Sequence, residues 1–499
     1  MPTSSTPSQL TYGNWRKPQT AGLGKLGLGG TLLLLGGMIV VVLTALASVV
    51  AALVLAVLLL MALAPLLVRD RHGRTALQRM AVRIGWRRSV SNGSHLYRSG
   101  PLGRTRYGTC QLPGLAAAST VMEASDAYNR PFALLTYPNT NHHVVVLTTD
   151  ADGAGLVDQD QVDTWVAHWG QWLAGLAHEP GLVGASVSIE AAPDTGVRLR
   201  HEVESNLVEG APALAAAMFA EVLEIYPAGS AQISTRITLT YSGAARPGVP
   251  RRTANDMAVE LGNRLPGLTS TLASTGAGPA RPMTAVQLAE AVRVAYDPSV
   301  ATLVEQARST GGSGLTWSDS GPIGAEETWE HYRHDSAHSV TWSMSEAPRG
   351  EVFSSVLTTL LRPHSDIARK RVTLLYRPHD PAAAAKIVER DRLDALFRAQ
   401  AEPVSKAREN AALRAAEQSA REEATGAGVL RFALLYTATA TDAADLPLVA
   451  AATDTLSAPA RIRLRPVVGS QASAFAAALP IGLVLPSHLS VPASVRDNF

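Results

Sequence analysis

Between Lys25 and Arg69 the chain runs for 43 residues without one charged side chain. A run of that length and apolarity is too long for a core helix and belongs in lipid. Its central part, Thr31 to Val68, reads TLLLLGGMIVVVLTALASVVAALVLAVLLLMALAPLLV, 38 residues. As one helix these would measure about 57 Å at ~1.5 Å per residue, nearly twice a hydrocarbon core of about 30 Å. Two helices of about 18 to 20 residues fit better, so residues 26–68 are expected to form a transmembrane hairpin, a single tilted span being the alternative. The turn is expected near Thr44 to Ser48, where small and hydroxyl residues interrupt the Leu/Val runs. A cleaved signal peptide fits poorly, because the run is too long and starts too far into the chain.

Charge places the ends of the hairpin. Residues 1–110 carry 13 Lys and Arg against Asp70 alone, a local +12, which leaves 31 basic against 41 acidic residues over the remainder, −10. Arg16, Lys17 and Lys25 precede the apolar run, and Arg69, Arg71, Arg74, Arg79, Arg83, Arg87 and Arg88 follow it. Positive residues are retained on the cytoplasmic side, so both ends belong there and an even number of crossings is favoured. The expected location is the plasma (inner) membrane, multi-pass, with both termini cytoplasmic. The acidic remainder argues against direct nucleic-acid binding, which needs a clustered cationic face. Cys110 is the single cysteine, so no intrachain disulfide and no CxxC site exists, in keeping with a reducing compartment.

The flanks extend this picture. In the cytoplasmic segment 1–25, Trp15 beside Arg16 and Lys17 suits the headgroup layer. In the basic juxtamembrane segment 69–112, Arg69, Arg71 and Arg74 are followed by a stretch expected to form an amphipathic interfacial helix. Leu77, Met80, Ile84 and Trp86 are read along one side of it, with arginines including Arg87 and Arg88 on the other. A solvated basic linker is the plainer alternative.

From about Leu115 the pattern becomes short β-rich runs alternating with amphipathic helices, which indicates an α+β or α/β domain. A first half, 113–250, reads as FALLTY and HVVVLTT joined by PNTNH, a helix over 158–177, a strand over 182–191, a helix over 212–226 and a strand over 231–241. The order β-β-α-β-α-β is close to a split ferredoxin-like unit. A helical connector, 251–325, with breaks at Pro266 and near Gly276 to Pro282, is expected to lead to a second half over 326–499. That half has a hairpin from TWEHYRHD and HSVTWSMSE, a helix over 352–361 and a strand over 370–378. A long helical insertion from Pro381 to about Glu423 precedes strand 429–440, helix 446–456, strand 461–467 and the short helix SQASAFAAAL. Two ferredoxin-like (split β-α-β) halves are therefore expected.

Catalytic motifs are missing from the sequence. It contains no GxxxxGK[ST], so no P-loop; no GxSxG elbow; and no HExxH, since His178-Glu179 and His201-Glu202 lack a second histidine. No catalytic residue and no cofactor is expected. The densest polar cluster, EHYRHDSAH, offers His331, His334, Asp335 and His338. As a metal site it could supply imidazoles and a carboxylate, but on a strand His331 and His334 point to opposite faces, and a turn at Asp335-Ser336 explains the polarity without an ion. Trp165, Trp169 and Trp172 fall at helical spacing, as a core stripe or, alternatively, a partner-binding face. Arg461, Arg463 and Arg465 alternate along one strand and share a face. Solvation or salt bridging is the plain reading of that face, and an acidic partner the other.

Several blocks carry a family likeness: TYGNWRKP before the hairpin, YRSGPLG, QLPGLAAAST, VDTWVAHWGQWLAGLAHEPGLVGASVSIE, HYRHDSAHSVTWSMSEAPRGEVFSSVL, RKRVTLLYRPHDP and VVGSQASAFAAALPIGL. Over Tyr12 to Pro492 the chain resembles a family of actinobacterial integral membrane proteins associated with conjugative, type IV secretion-like gene clusters. It is also similar to the small hairpin subunit of type IV secretion systems joined to the N-terminal domain of the conjugation ATPase. GSQASAFAAALPIG is similar to the segment that ends that domain just before the motor. The resemblance implies a non-catalytic structural component, oligomeric within a complex. Its domain would dock a separate P-loop motor ATPase and other channel subunits, since no motor domain follows before Phe499. The E component of a type VII secretion complex, which also joins two spans to a cytoplasmic domain, is the alternative.

Overall fold

The computed structural model describes residues 10–13, 15, 27–68, 70, 73–100, 103, 105, 106, 108–151, 153, 155–208, 210–225, 231–246, 248–348, 350–401 and 407–489. The chain divides into a small unit, residues 15–95 with 491–499, and a large one, residues 1–14 with 96–490.

In the small unit two 19-residue helices, α1 (Gly27–Ala45) and α2 (Val49–Leu67), lie side by side. The turn falls where the hydroxyl residues predict it. The amides of Ala47 and Ser48 donate to the Thr44 carbonyl at 3.1 and 2.8 Å, and Ser48 caps α2 through its Oγ. A side chain at Gly37 would collide with Leu59, so that glycine sets how closely the two helices approach. Most Leu and Val side chains on both helices face outward, with Ala52 and Leu63 buried. Among the described residues α2 is the one helix long and apolar enough to cross a membrane, and the apolar stretch Gly30–Ala45 of α1 is shorter. Helix α3 (Ala76–Ser91) opens with a Thr75/Gln78 capping box. Leu77, Met80 and Ile84 line one side of α3 and are exposed. Trp86 does not join them: nine positions after Leu77 it lies about 180° around the helix, where its ring meets His95 edge to face at 6.2 Å.

The large unit is built on a 13-stranded sheet whose described pairings are all antiparallel. In chain order its elements are β1 (Leu96–Arg98), β2 (Thr120–Ser125), β3 (Pro131–Tyr137), β4 (His142–Thr149), α4 (Gln159–Leu176), β5 (Leu182–Pro193), α5 (Val197–Asn206), α6 (Ala213–Ile225), β6 (Ala231–Ser242), α7 (Ala254–Ser270), β7 (Ala280–Pro282), α8 (Ala285–Tyr296) and α9 (Ala301–Ser309). Then come β8 (Gly324–Glu327), β9 (Tyr332–His334), β10 (Ala337–Glu346), α10 (Thr358–Leu361), β11 (Arg369–Pro378), α11 (Pro381–Ala401), α12 (Ala407–Ala424), β12 (Leu430–Ala440), α13 (Leu446–Ser457), β13 (Arg463–Pro466) and α14 (Gln471–Ala478).

The strand order is β1-β8-β9-β10-β12-β11-β5-β6-β4-β3-β2, with β13 beside β10 and β7 beside β4. From the β5·β11 pair outward, the two directions repeat one another: β5, β6, β4, β3, β2 on one side and β11, β12, β10, β9, β8 on the other. Helices follow suit. A helical pair sits between β5 and β6 (α5, α6) and between β11 and β12 (α11, α12), while α7, β7 and α8 correspond to α13, β13 and α14. Residues 254–296, expected as a connector, thus supply a helix and a strand to the first half: β7 pairs with β4, and α7 packs into that half's core.

Both faces of the first half's strands are buried. Ala133, Leu135, Val144 and Val146 pack with α8 and α14, while Phe132, Leu134, Val145 and Leu147 pack with α4 and α7. That is why FALLTY and HVVVLTT read as unbroken apolar runs rather than alternating ones. In the second half one face is apolar, against α10 and α13. The other face carries buried hydroxyl pairs, Thr341 to Thr437 at 3.0 Å and Ser339 to Thr439 at 2.7 Å.

Pro266 does not break α7 as expected. The carbonyl it leaves without an i+4 donor, that of Gly262, accepts the amide of Ala127 at 3.1 Å. A Cβ at Gly262 would stand 2.8 Å from the Ser125 carbonyl oxygen. Gly262→Val is accordingly expected to destabilise the large unit by about 1–3 kcal/mol through overpacking, read as a lowered melting temperature of the detergent-solubilised chain.

Candidate functional site

Three features of the large unit bear on function: where residues 10–13 are held, how its two halves are joined, and what lies across them. Tyr12 answers the first. Its amide and carbonyl exchange 2.8 Å hydrogen bonds with Val352, and its hydroxyl donates to Asp163 at 3.0 Å. Burial, with Asp163 adding to it, raises the phenol to about 12. Residues 10–13 and those from Leu96 onward therefore belong to one folded body.

The join between the halves is the β5·β11 pair, where Glu190 faces Arg371 across the strands. Glu190 is 5% exposed and receives Arg369 at 2.8 Å, Arg371 at 3.2 Å and Arg236 at 3.4 Å. Burial pushes its pKa upward, but the three guanidinium groups outweigh that and hold it at about 2. Arg371 also lies over the Phe475 ring at 5.7 Å. One carboxylate thus clamps three strands, β5, β6 and β11, from both halves.

Over this seam runs the segment from Gln471 to Leu483, which takes in most of the GSQASAFAAALPIG block, Gly469 to Gly482. Gln471 is fully buried and acts as a surrogate peptide for β10, accepting from the Thr341 amide at 2.8 Å and donating to its carbonyl at 3.3 Å. The Ala478 carbonyl accepts Thr373 at 2.8 Å and Ser188 at 3.4 Å, one from each side of the seam. Tyr137 donates to Ile481 at 2.8 Å and Thr240 to Gly482 at 2.9 Å. Gly482 has φ 65°, and a Cβ there would meet Thr240 and Val144. The segment is a strap fastened to four strands of the first half or seam, β3, β5, β6 and β11, and to β10 of the second.

The histidine cluster is spent on structure. His334 is fully buried; its Nδ1 lies 2.6 Å from the Tyr296 carbonyl, which can only accept, so Nδ1 carries the proton and Nε2 accepts from Ser339 at 2.8 Å. Asp335 sits at φ 40° in the β9–β10 turn, accepts the amides of Ile323 and Gly324 and meets Arg293 at 3.1 Å. His331 and His338 stand ring to ring at 5.4 Å. Among the described residues no group of three His, Cys, Asp or Glu is placed to hold a metal.

Burial lowers the pKa of His334 to about 4, and that of His143 likewise, with Arg252 adding to the effect there. A histidine depressed when folded but near its ordinary value when unfolded takes its proton first in the unfolded chain. Stability should therefore fall as pH drops from about 6.5 to 4, by a few kcal/mol for the two together. Denaturant midpoints at pH 7 and pH 5 test this, the pH 5 value being lower.

The tryptophan stripe on α4 turns inward. Trp172 is buried, Trp169 stacks on it at 4.9 Å and meets Tyr376 edge to face, and Trp165 covers Gly276. Arg463 and Arg465 share a face of β13 opposite buried Leu464, whereas Arg461, expected on the same strand, stands before it in a turn with φ 54°. Each is engaged locally: Arg461 with the Glu351 carbonyl at 3.2 Å, Arg463 with Glu346 at 3.8 Å, Arg465 with Ser343 at 3.1 Å. Of the membrane-interface residues, Arg16, Lys17, Arg69 and Arg71 lie outside the described residues. Trp15 is 36% exposed, Arg74 holds the turn before α3 through its amide on Asp70, and Arg87 and Arg88 are exposed on α3. Sequence reasoning missed Tyr12 and Glu190. Glu190 left one signal, a lone acid in the otherwise small and apolar strand LVGASVSIEA.

Residues 19–78 match a family described as "Domain of unknown function (DUF8461)", a stretch that holds the hairpin and the first residues of α3. No curated protein matches the chain.

Proposed function

We propose that the chain is a non-catalytic inner-membrane component of a conjugative, type IV secretion-like machine. Helices α1 and α2 cross the bilayer twice, both termini lie in the cytoplasm, and the large unit is the docking platform for a separate P-loop motor ATPase. The observation that carries the topology is the pairing of Tyr12 with Val352. A chain that leaves a folded body at residue 13 and returns to it at residue 96 supports an even number of crossings for the apolar run between. The basic residues on both sides of that run argue the same way.

Each half reads as ferredoxin-like. In chain order β4, α4, β5, β6, α7, β7 stand as β7-β4-β6-β5, and β10, α10, β11, β12, α13, β13 stand as β13-β10-β12-β11, an order that supports the split β-α-β reading. The platform reading is supported by the strap over the seam, the block that resembles the stretch preceding a motor. Purification of the tagged full-length chain from membranes in detergent tests it. A P-loop ATPase recovered in stoichiometric amount is expected; a type VII secretion core recovered instead, or no ATPase, would overturn it.

A further inference from the structure

Helix α3 starts where the chain leaves the hairpin, and it is tied there. The carbonyl of Val68, the residue that ends α2, accepts the amide of Ala76, the first residue of α3, at 3.0 Å. Asp70 closes the loop between them, accepting the Gly73 amide on its carbonyl at 3.0 Å and the Arg74 amide on its carboxylate at 2.9 Å. The N-terminus of α3 is therefore held at the end of α2, within the same folded unit.

At about 100° per residue, Leu77, Met80 and Ile84 fall within about 60° of one another around α3, and they are 46, 59 and 51% exposed. Val82, Trp86 and Ser89, all half-buried, stand on the opposite side, where Trp86 meets His95. The helix thus turns one side toward its own chain and leaves the apolar side open. Arg79, Arg83 and Arg87, all exposed, recur every four residues and so run as a stripe along one border of the apolar side. Arg88 closes that side in the last turn. No acid opposes them: α3 contains none, and between Arg69 and Arg98 the one acid is Asp70, which holds the turn.

A cover for this side has to be apolar, to carry negative charge beside the apolar part, and to lie at the end of α2. The surface of a bilayer that contains anionic phospholipid meets all three demands. Its acyl boundary takes Leu77, Met80 and Ile84, and its phosphates take the arginines, whose stems can run along the boundary while the guanidinium groups stay at headgroup level.

We propose that α3 lies on the surface of the membrane that α2 crosses and binds anionic phospholipid there, with Arg79, Arg83 and Arg87 as the headgroup contacts. The inference rests on the hairpin reading and is independent of the motor. It makes the seating of α3 depend on lipid composition, because on a zwitterionic surface three apolar side chains hold the helix without help from charge.

Fluorescence quenching in the full-length chain tests this, in liposomes and a Cys110→Ser background, with an environment-sensitive fluorophore on Met80→Cys, Ser89→Cys or Leu58→Cys. In mixed phosphatidylcholine and phosphatidylglycerol, a spin label high on the acyl chain should quench the Met80→Cys fluorophore strongly and the Ser89→Cys one, about 180° away, weakly. Quenching at Met80→Cys should fall in phosphatidylcholine alone and at high salt. Replacing all three arginines, Arg79→Gln, Arg83→Gln and Arg87→Gln, should lower the ratio of surface-bound to free α3 on the order of a hundredfold, at about fivefold for each. Glutamine is nearly as good a helix former, so unchanged circular dichroism is expected alongside. Equal quenching at Met80→Cys in the two lipid mixtures would overturn the proposal. Free access of aqueous iodide to that fluorophore in both mixtures would do the same, and so would shielding from lipid and iodide alike, which would put protein on this face. The Leu58→Cys fluorophore keeps the two readings apart. Quenched by a deep spin label while Met80→Cys is not, it removes the inference alone; unquenched, it removes the hairpin as well.

Discussion

Replacing Glu190 by alanine is expected to cost on the order of 3–5 kcal/mol, the cost of breaking a buried ionic network by removing one partner. Arg236, Arg369 and Arg371 would lose their shared carboxylate in a place where the side chains of Arg371 and Glu190 are 4 and 6% exposed. Arg371 would be left over the Phe475 ring with its charge uncompensated by Glu190. Glu190→Gln keeps the shape and an acceptor but not the charge, and should lose less than the alanine variant. Glu190 is held at about 2 when folded, against an ordinary carboxylate near 4.3 in the unfolded chain. Its stabilisation is complete above that ordinary value and fades as pH falls through it toward 2, in the same direction as the histidine effect but at lower pH. Equilibrium melts of both variants at neutral pH, with intrinsic tryptophan fluorescence as the readout, give the cost directly. A Glu190→Ala protein as stable as the parent would mean that the seam is held by the strap and strand pairing alone.

The second large effect is on the anchor. Leu58 stands midway along α2 and is 52% exposed, in a helix whose buried side chains are Ala52 and Leu63. Leu58→Arg should raise the cost of inserting α2 by about 3 kcal/mol, a shift large enough to move much of the protein from the membrane pellet to the soluble or aggregated fraction. The comparison variant is Leu303→Arg, at an exposed position of α9 in the large unit, which should leave fractionation unchanged. Equal fractionation of Leu58→Arg and the parent would argue that α2 does not meet lipid.

The elements of this chain with strong local patterns were legible. The hairpin turn fell within the Thr44 to Ser48 window, and strands β3 to β6 and β10 to β12 lie within a residue or two of where their β-branched runs place them. What escaped was set by contacts distant in sequence. Strand β8, GAEE, is short and polar, β2, TVMEAS, has no strong β pattern, and both exist because β9 and β3 offer them a paired edge. The three-residue β7 is fixed by β4. Pro266 reads as a helix break until Ala127 is found on the Gly262 carbonyl. Trp86 reads with the apolar side of α3 only while the turn of about 100° per residue is neglected. For the site, nothing near Arg369 and Arg371 in the sequence names the acid they serve, because Glu190 is 179 residues from Arg369. Tyr12 stands in the sequence only as part of a block, since nothing local ties it to Val352.

The proposed hairpin puts the large unit and the N-terminus on one side of the membrane. Cysteine accessibility in intact expressing cells measures this most directly, in a Cys110→Ser background with single cysteines at Leu10, Ala47 and Leu156. A membrane-impermeant maleimide should label Ala47→Cys, in the turn between α1 and α2, and should reach Leu10→Cys and Leu156→Cys only after the cells are opened. Labelling of Leu10→Cys and Leu156→Cys on opposite sides of the membrane, or of all three positions only after lysis, would contradict it.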